Sequence, residues 1–461
     1  MGRRLLALFL LLSGLRAFAQ NDDLPASSLP AQFAGEQKDR PASPDSAPML
    51  LVNPEDLRRF IDDYLESKKG DVAKEPISEE KRYPTFRLTG FFHLDDVYII
   101  QETRNRLTVG NAGDGLMFRR ARLATTGNLT DNITYIMEFD FAAFQPLFVD
   151  VWANFADIPI LGNIRIGRWR QPFGMSELTS IRELPFLERS LTFALSPFRQ
   201  TGIGAFDTAL GERATWAISA YRFNTDFFGN VIGHSGGYGA AVRLTALPHF
   251  ADESNLVHLG FDYSFNDPED NAIRLFHTPE VFAADSPVGN TVVVEDSIPF
   301  FVDTGLVPTA FTNLFNVEAA CVSGPFALQS EMRWLRVDQG QGNIRVIPAV
   351  YAYVRYILTG ENQTYDKKAA VLTRIKPLRP VRLGGGGWGA WEVAARWSYI
   401  DLNGTLGDGP GRALNDLTFG INWYLNERSK FQFNYIHAFL NDPTLGPSNA
   451  DIFALRFQMD F

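Results

Sequence analysis

The sequence predicts an all-β protein: a closed 16-stranded antiparallel transmembrane β-barrel with one loop folded inward as a constriction. Three observations predict it. Apolar and polar residues alternate with period two in segment after segment from residue 86 onward. The polar face of these segments carries Glu, Arg, Asp and Asn, which an unpaired dry core does not tolerate. No apolar run after the first residues approaches the roughly 20 needed for a spanning helix. A closed barrel is then the way for the backbone to cross lipid with its polar groups satisfied.

Composition bounds the alternatives. A length of 461 residues would ordinarily suggest several domains. Aromatic residues make up 13%, too many for a disordered chain. Cys321 is the single cysteine, which excludes a disulfide scaffold and a cysteine-based zinc fold. A net charge of -10 argues against a nucleic-acid partner. The six His show no metal-ligand spacing, and no G-x-S-x-G or phosphate-cradling loop is present. Neither an enzyme nor a cofactor is therefore expected.

Residues 1–19 read as a signal peptide, with Arg3 and Arg4 before the apolar run Leu5 to Leu12 and Ala17-Phe18-Ala19 as the cleavage site. Residues 20–85 read as a periplasmic linker rich in Pro, Ser, Asp and Gln. A short helix is expected near 54–67. Asn53 caps it, Pro54 opens it, and Leu57, Phe60, Ile61, Tyr64 and Leu65 form its apolar stripe.

The barrel is expected over 86–461. Its last segment is the clearest: Phe453, Leu455, Phe457, Met459 and Phe461 alternate with Ala454, Arg456, Gln458 and Asp460. Trp391, Val393 and Trp397 likewise oppose Glu392, Arg396 and Ser398, and Leu259, Phe261 and Tyr263 oppose His258, Asp262 and Ser264. Strands are expected near 86–100, 115–128, 133–142, 147–157, 163–173, 201–209, 214–224 and 237–247, then 255–267, 315–323, 326–338, 346–359, 388–403, 414–425, 431–440 and 452–461. The even number suits a barrel. Turns should be short on the inner side and long on the outer side, including outer loop 268–314. Residues 360–387 break this rule, being long on the inner side without an evident reason.

Residues 174–200 lack the alternation and occupy the place of the third outer loop, which in known outer-membrane channels folds into the lumen and narrows it, so they are the expected constriction; Leu184 to Phe193 is read as a helical turn or two. Basic residues are skewed toward arginine, and no Lys lies between Arg82 and Asp366. Arg120 and Arg122 share a face opposite Ala121 and Leu123, so both should point into the lumen. Arg165, Arg168 and Arg170 cannot all do so. Two readings of these charges stand: a ladder guiding anions, or paired structural charge against Glu138, Asp140, Asp150 and Glu392.

Several strings carry a family resemblance: FRLTGFFHLDD from Phe86, FRRARL from Phe118, YIMEFDF from Tyr135, IGRWRQPFG from Ile166, ELTSIRELPFLER from Glu177, GAWEVAARWSY from Gly389 and NWYLNE from Asn422. In order and spacing they resemble the phosphate-selective porins O and P of bacterial outer membranes. The resemblance implies a homotrimer in outer-membrane lipid, passive diffusion of small inorganic anions such as phosphate, and assembly machinery that recognises the strand ending at Phe461. It implies an Arg on the constriction loop at Arg189 and a wall Asp at Asp150. Where the phosphate channels carry a loop Lys, this chain has Glu177, an acid that repels a dianion. The constriction candidates are thus Arg189, Asp150, Glu177, Arg182, Arg120, Arg122 and Arg170. A general porin without an anion site, or a plugged structural or adhesive barrel, are the alternatives.

Overall fold

The computed structural model describes residues 82–461 except 143–145, 227, 233–235, 283–296, 383 and 405–406, together with Glu55, Arg58, Arg59, Asp62 and Asp63. Those five residues are helical and exposed. The apolar stripe expected beside them, the signal segment and the rest of the linker lie outside the described residues.

From Arg87 the chain builds a closed antiparallel barrel of 16 strands. The first nine are β1 (Arg87–Gln101), β2 (Gly115–Asn128), β3 (Ile133–Asp140), β4 (Leu147–Ile158), β5 (Gly162–Arg170), β6 (Arg199–Ala209), β7 (Ala214–Arg222), β8 (Tyr238–Asp252) and β9 (Asn255–Asp267). A hairpin of β10 (Ala272–His277) and β11 (Val302–Pro308) then stands apart from the wall. The wall resumes with β12 (Phe311–Ser323), β13 (Phe326–Asp338) and β14 (Ile344–Ile357). A second small hairpin, β15 (Tyr365–Asp366) and β16 (Val371–Leu372), precedes β17 (Ala390–Asp401), β18 (Ala413–Asn426), β19 (Ser429–Asp442) and β20 (Gly446–Asp460). The barrel closes where β20 pairs with β1, from Phe91 opposite Asp460 to Gln101 opposite Ala450. Phe461 extends that seam by exchanging backbone hydrogen bonds with Gly90. Below, the inner end is the one where β1 begins and β20 finishes.

The expected faces hold. On β18, Phe419 and Ile421 are 47% and 46% exposed, while Thr418 and Asn422 beside them are fully buried. Met459 and Phe453 on β20 face out, and Ala454, Arg456 and Gln458 face in. This outward belt of Phe, Trp, Leu, Ile and Val is far larger than a water-soluble surface carries. Strand boundaries differ by a few residues from the expected ones. The largest differences are β20, which starts at Gly446, β8, which runs on to Asp252, and β12, which starts at Phe311.

Three segments fold into the lumen, so its interior is narrowed and occupied in part by the chain's own loops. The β10–β11 hairpin enters at the outer end, where Ile273, Leu275, Val302 and Val307 pack on the inward residues Leu314, Leu335, Ile347, Ile400, Leu414 and Leu440. At the inner end, the β15–β16 hairpin places Tyr365, Val371 and Leu372 against Leu247, Leu256, Ala320 and Val322. This accounts for the long inner segment 360–387: it is a plug, so its length follows from reaching into the barrel. Arg243 seats it by donating to the Ala370 carbonyl at 2.9 Å while pairing with Glu318 at 2.8 Å. Arg374 then ties its return to Glu183 at 2.8 Å and Asp460 at 2.7 Å.

The third segment, 171–198, crosses the middle. Instead of the helical turn expected over Leu184 to Phe193, it has a helical turn α1 (Met175–Leu178) and a 3-10 turn over Leu191–Leu195. In and around these turns, free backbone groups are satisfied by wall side chains. The Gly174 N–H donates to Asp262 Oδ2 (2.9 Å), the Ser176 N–H to Glu331 Oε1 (2.7 Å) and the Leu187 N–H to Asn434 Oδ1 (2.8 Å). Asn422 Nδ2 and Gln432 Nε2 donate to the carbonyls of Pro185 and Leu184 at 2.9 and 3.1 Å. Gly174 must be glycine: its φ is +76°, and an added Cβ would lie 2.0 Å from Glu177 Oε2.

Arg333 on β13 anchors this crossing. It is fully buried and reaches Glu177 at 2.6 Å and Glu331 at 2.8 Å. Replacing it by alanine strands two buried carboxylates and should cost about 3–5 kcal/mol. The check is the temperature at which the folded, fast-migrating band converts to the unfolded one: Arg333→Ala lowers it sharply, and an unchanged temperature would contradict the anchoring role.

Candidate functional site

Open space remains on one side. A cavity of about 790 Å³ is bounded by β2–β6, the crossing loop and the outer hairpin. Nine arginines line it (Arg119, Arg120, Arg122, Arg168, Arg170, Arg182, Arg189, Arg199 and Arg274) against five carboxylates, with no lysine.

Two β-bulges aim part of this charge. His93 pairs with Arg120 and Leu94 with Phe118, leaving Arg119 as an extra residue on β2. A bulge re-aims side chains, so Arg119 and Arg120 both reach inward to Glu188 of the crossing loop. Arg119 Nε lies 3.0 Å from one Glu188 oxygen, and Arg120 holds both oxygens at 2.9 and 2.8 Å. Arg456 of β20 adds a third contact at 3.0 Å. On β4 the pairing slips between Met137–Val151 and Phe139–Phe148, so Val149 and Asp150 together oppose Glu138. Both are buried.

Six of the seven expected residues line this one cavity. Arg120 is held by Glu188, and Arg122 by Asp140 at 2.8 Å. Asp150 is paired with Arg199 at 3.0 Å, and Arg182 stands 3.5 Å from Asp460. Arg170 donates to the carbonyls of Glu177, Leu178 and Thr179, each at 2.9 Å. Arg189 grips the same turn through the carbonyls of Ser176 (3.0 Å), Glu177 (3.2 Å) and Thr179 (2.8 Å). These two guanidiniums cap the C-terminal end of α1, where orphan carbonyls collect. Glu177 is the exception. It points away from the cavity, fully paired with Arg333, so this acid does not line it.

The sequence pattern missed Arg119, Arg199, Arg274 and Glu188, and left the direction of Arg168 open. A period-two reading places Arg119 outside, and only the bulge turns it in. Arg199 was assigned to the loop, yet it begins β6. Glu188 in the ELTSIRELPFLER string was the available signal, since a loop carboxylate beside a wall of arginines invites pairing.

The loop groups carry the electrostatics. Burial alone would push the Glu188 carboxyl up, but Arg119, Arg120 and Arg456 hold it well below the usual carboxylate range. Burial first, then the neighbouring Arg170 guanidinium, pushes Arg189 well below its ordinary value. Its charge is held at a cost, which a nearby anion relieves.

A closed antiparallel barrel, belted outside by apolar residues and narrowed inside by a folded third loop, defines an outer-membrane porin. The chain matches the family described as phosphate-selective porin O and P over residues 86–461, and it belongs to that family. It is 24% identical to Porin O of Pseudomonas aeruginosa over 378 residues, 76% of this chain and 83% of that one. It is 26% identical to an uncharacterized protein of Caulobacter vibrioides over 337 residues, 70% of this chain and 62% of that one. Among solved structures, an anion-selective porin from Comamonas acidovorans aligns with TM-score 0.48 and 13% identity, covering 82% of this chain and 99% of that one.

The depressed Glu188 value makes a pH prediction. A carboxyl lowered on folding stabilises above its unfolded value and loses that contribution as pH falls through the folded one. The stability gap between the native protein and Glu188→Gln should be constant from about pH 5 to 8 and close only in stronger acid. Thermal unfolding at several pH values checks this; a gap that closes near neutrality would contradict it.

Proposed function

We propose that this porin conducts small anions passively, without catalysis, along the arginine-lined side of its lumen. The observation that carries the reading is the surplus of guanidinium over carboxylate around the cavity. Arg168, Arg170 and Arg189 strengthen it: among the described residues their hydrogen-bond partners are neutral oxygens rather than carboxylates. Such groups remain electrostatically available to an anion, and arginine forks bind oxyanions bidentately. Phosphate fits the same chemistry, because Glu177 is neutralised by Arg333 and turned out of the passage. Family membership supports a homotrimer, set in outer-membrane lipid through the apolar belt. Secretion by residues 1–19 and recognition of the strand ending at Phe461 by the assembly machinery belong to the same proposal. The cavity favours conduction over a plugged structural or adhesive barrel.

Reversal potentials in a potassium chloride gradient across a planar bilayer test the reading. Anion preference is expected, and cation preference would overturn it. Phosphate added to chloride should reduce the chloride current, and Arg189→Ala should weaken that block about tenfold, the value of one charge-assisted hydrogen bond. An unchanged block removes Arg189 from the site and leaves a general porin. Deleting residues 362–377 removes the inner plug, so single-channel conductance should rise; equal conductance would mean that the plug does not limit flow.

A further inference from the structure

The cavity has a second character that inorganic anions do not use. Phe193 and Phe198 of the crossing loop form an edge-to-face pair with centroids 4.8 Å apart. Phe276 and Phe300 of the outer hairpin form a tilted pair, 4.4 Å apart. All four line the same cavity and are only half-buried, so their rings stay accessible from inside it. Guanidiniums lie over these rings: Arg199 over Phe198 at 4.6 Å, Arg189 over Phe198 at 5.3 Å and Arg274 over Phe276 at 5.4 Å. A guanidinium stacked on a ring spends its face on the aromatic contact and keeps its N–H groups in the plane. Asp150, Asp303 and loop carbonyls take Nε and Nη2 of Arg199, Arg274 and Arg189 in turn, and among the described residues no hydrogen bond engages their Nη1 groups, which can meet an oxyanion.

For a bare oxyanion these rings are a liability, because they replace hydration without returning hydrogen bonds. For an anion attached to an aromatic ring they are a second contact of matching chemistry. We propose that the preferred cargo is an aromatic carboxylate: the carboxylate engages the arginine edges while the ring packs against Phe198 and Phe276. This rests on the reading of the cavity as an anion passage and names the class of anion.

The test compares benzoate and acetate as blockers of chloride current through the full-length protein in planar bilayers. They carry the same charge and differ by the ring. Benzoate is expected to block at about tenfold lower concentration, the upper range for one aromatic pair. Phe198→Leu and Phe276→Leu, which keep apolar volume, should each move that ratio toward one, with acetate block in the same variant as the internal reference. Equal block by benzoate and acetate in the native protein overturns the proposal. Block by uncharged benzamide equal to that of benzoate also overturns it, since the carboxylate would then play no part. A ratio unchanged in both variants places the ring elsewhere and overturns the assignment to these phenylalanines. Loss of anion preference in potassium chloride alone signals failure of the underlying anion reading, a separate result from failure of the ring preference.

Discussion

The structure depends on one requirement: irregular backbone inside a barrel must find hydrogen-bond partners. Segment 171–198 crosses the lumen with little secondary structure to satisfy its own N–H and C=O groups. Orphaned buried backbone groups cost about as much as lost hydrogen bonds. The wall therefore presents carboxylates and amides on its inward face, and Asp262, Glu331, Asn422, Gln432 and Asn434 each bond the loop. The polar inner face of β9, β13, β18 and β19 is accordingly a docking surface for the chain's own loop. It is not a channel lining.

That use of polarity divides the barrel in two. On the side of β12–β20, charges are consumed in buried pairs such as Arg333–Glu177, Arg355–Glu392 and Arg396–Glu280. Such pairs seldom add stability over apolar packing, but breaking one is costly, so they lock the inward segments in register. On the side of β2–β6 the arginines outnumber their acids. Paired structural charge therefore describes the β12–β20 side, while the β2–β6 side keeps the surplus of guanidinium on which the anion reading is proposed. Cavity and scaffold are separated by the position of a strand in the sheet.

Much of this was legible in advance. The faces of β17, β18 and β20 followed from period-two alternation, because a pleated strand sends successive side chains to opposite sides. The inward direction of Arg120 and Arg122 followed from the same rule. The rule fails where the pleat is broken. At Arg119 and at Val149–Asp150 a bulge adds one residue, and no feature of single-strand composition announces it. Segment 360–387 was unexplained for a related reason: Tyr365, Val371 and Leu372 have no partner within their own stretch, and meet Leu247, Leu256 and Ala320 only after the barrel closes.

The chain alone determined the barrel class, the strand number, the apolar belt and the place of the constriction loop. These depend on local alternation and on loop order, which are written one residue at a time. The tertiary structure decided which charges are spent and which remain. Glu177 shows why: its residue type and position suggested an acid in the passage, yet Arg333, more than 150 positions further on, takes both of its oxygens. Pairing across the lumen is set by which strands curve to face each other and how far each loop reaches, and no local pattern encodes that distance.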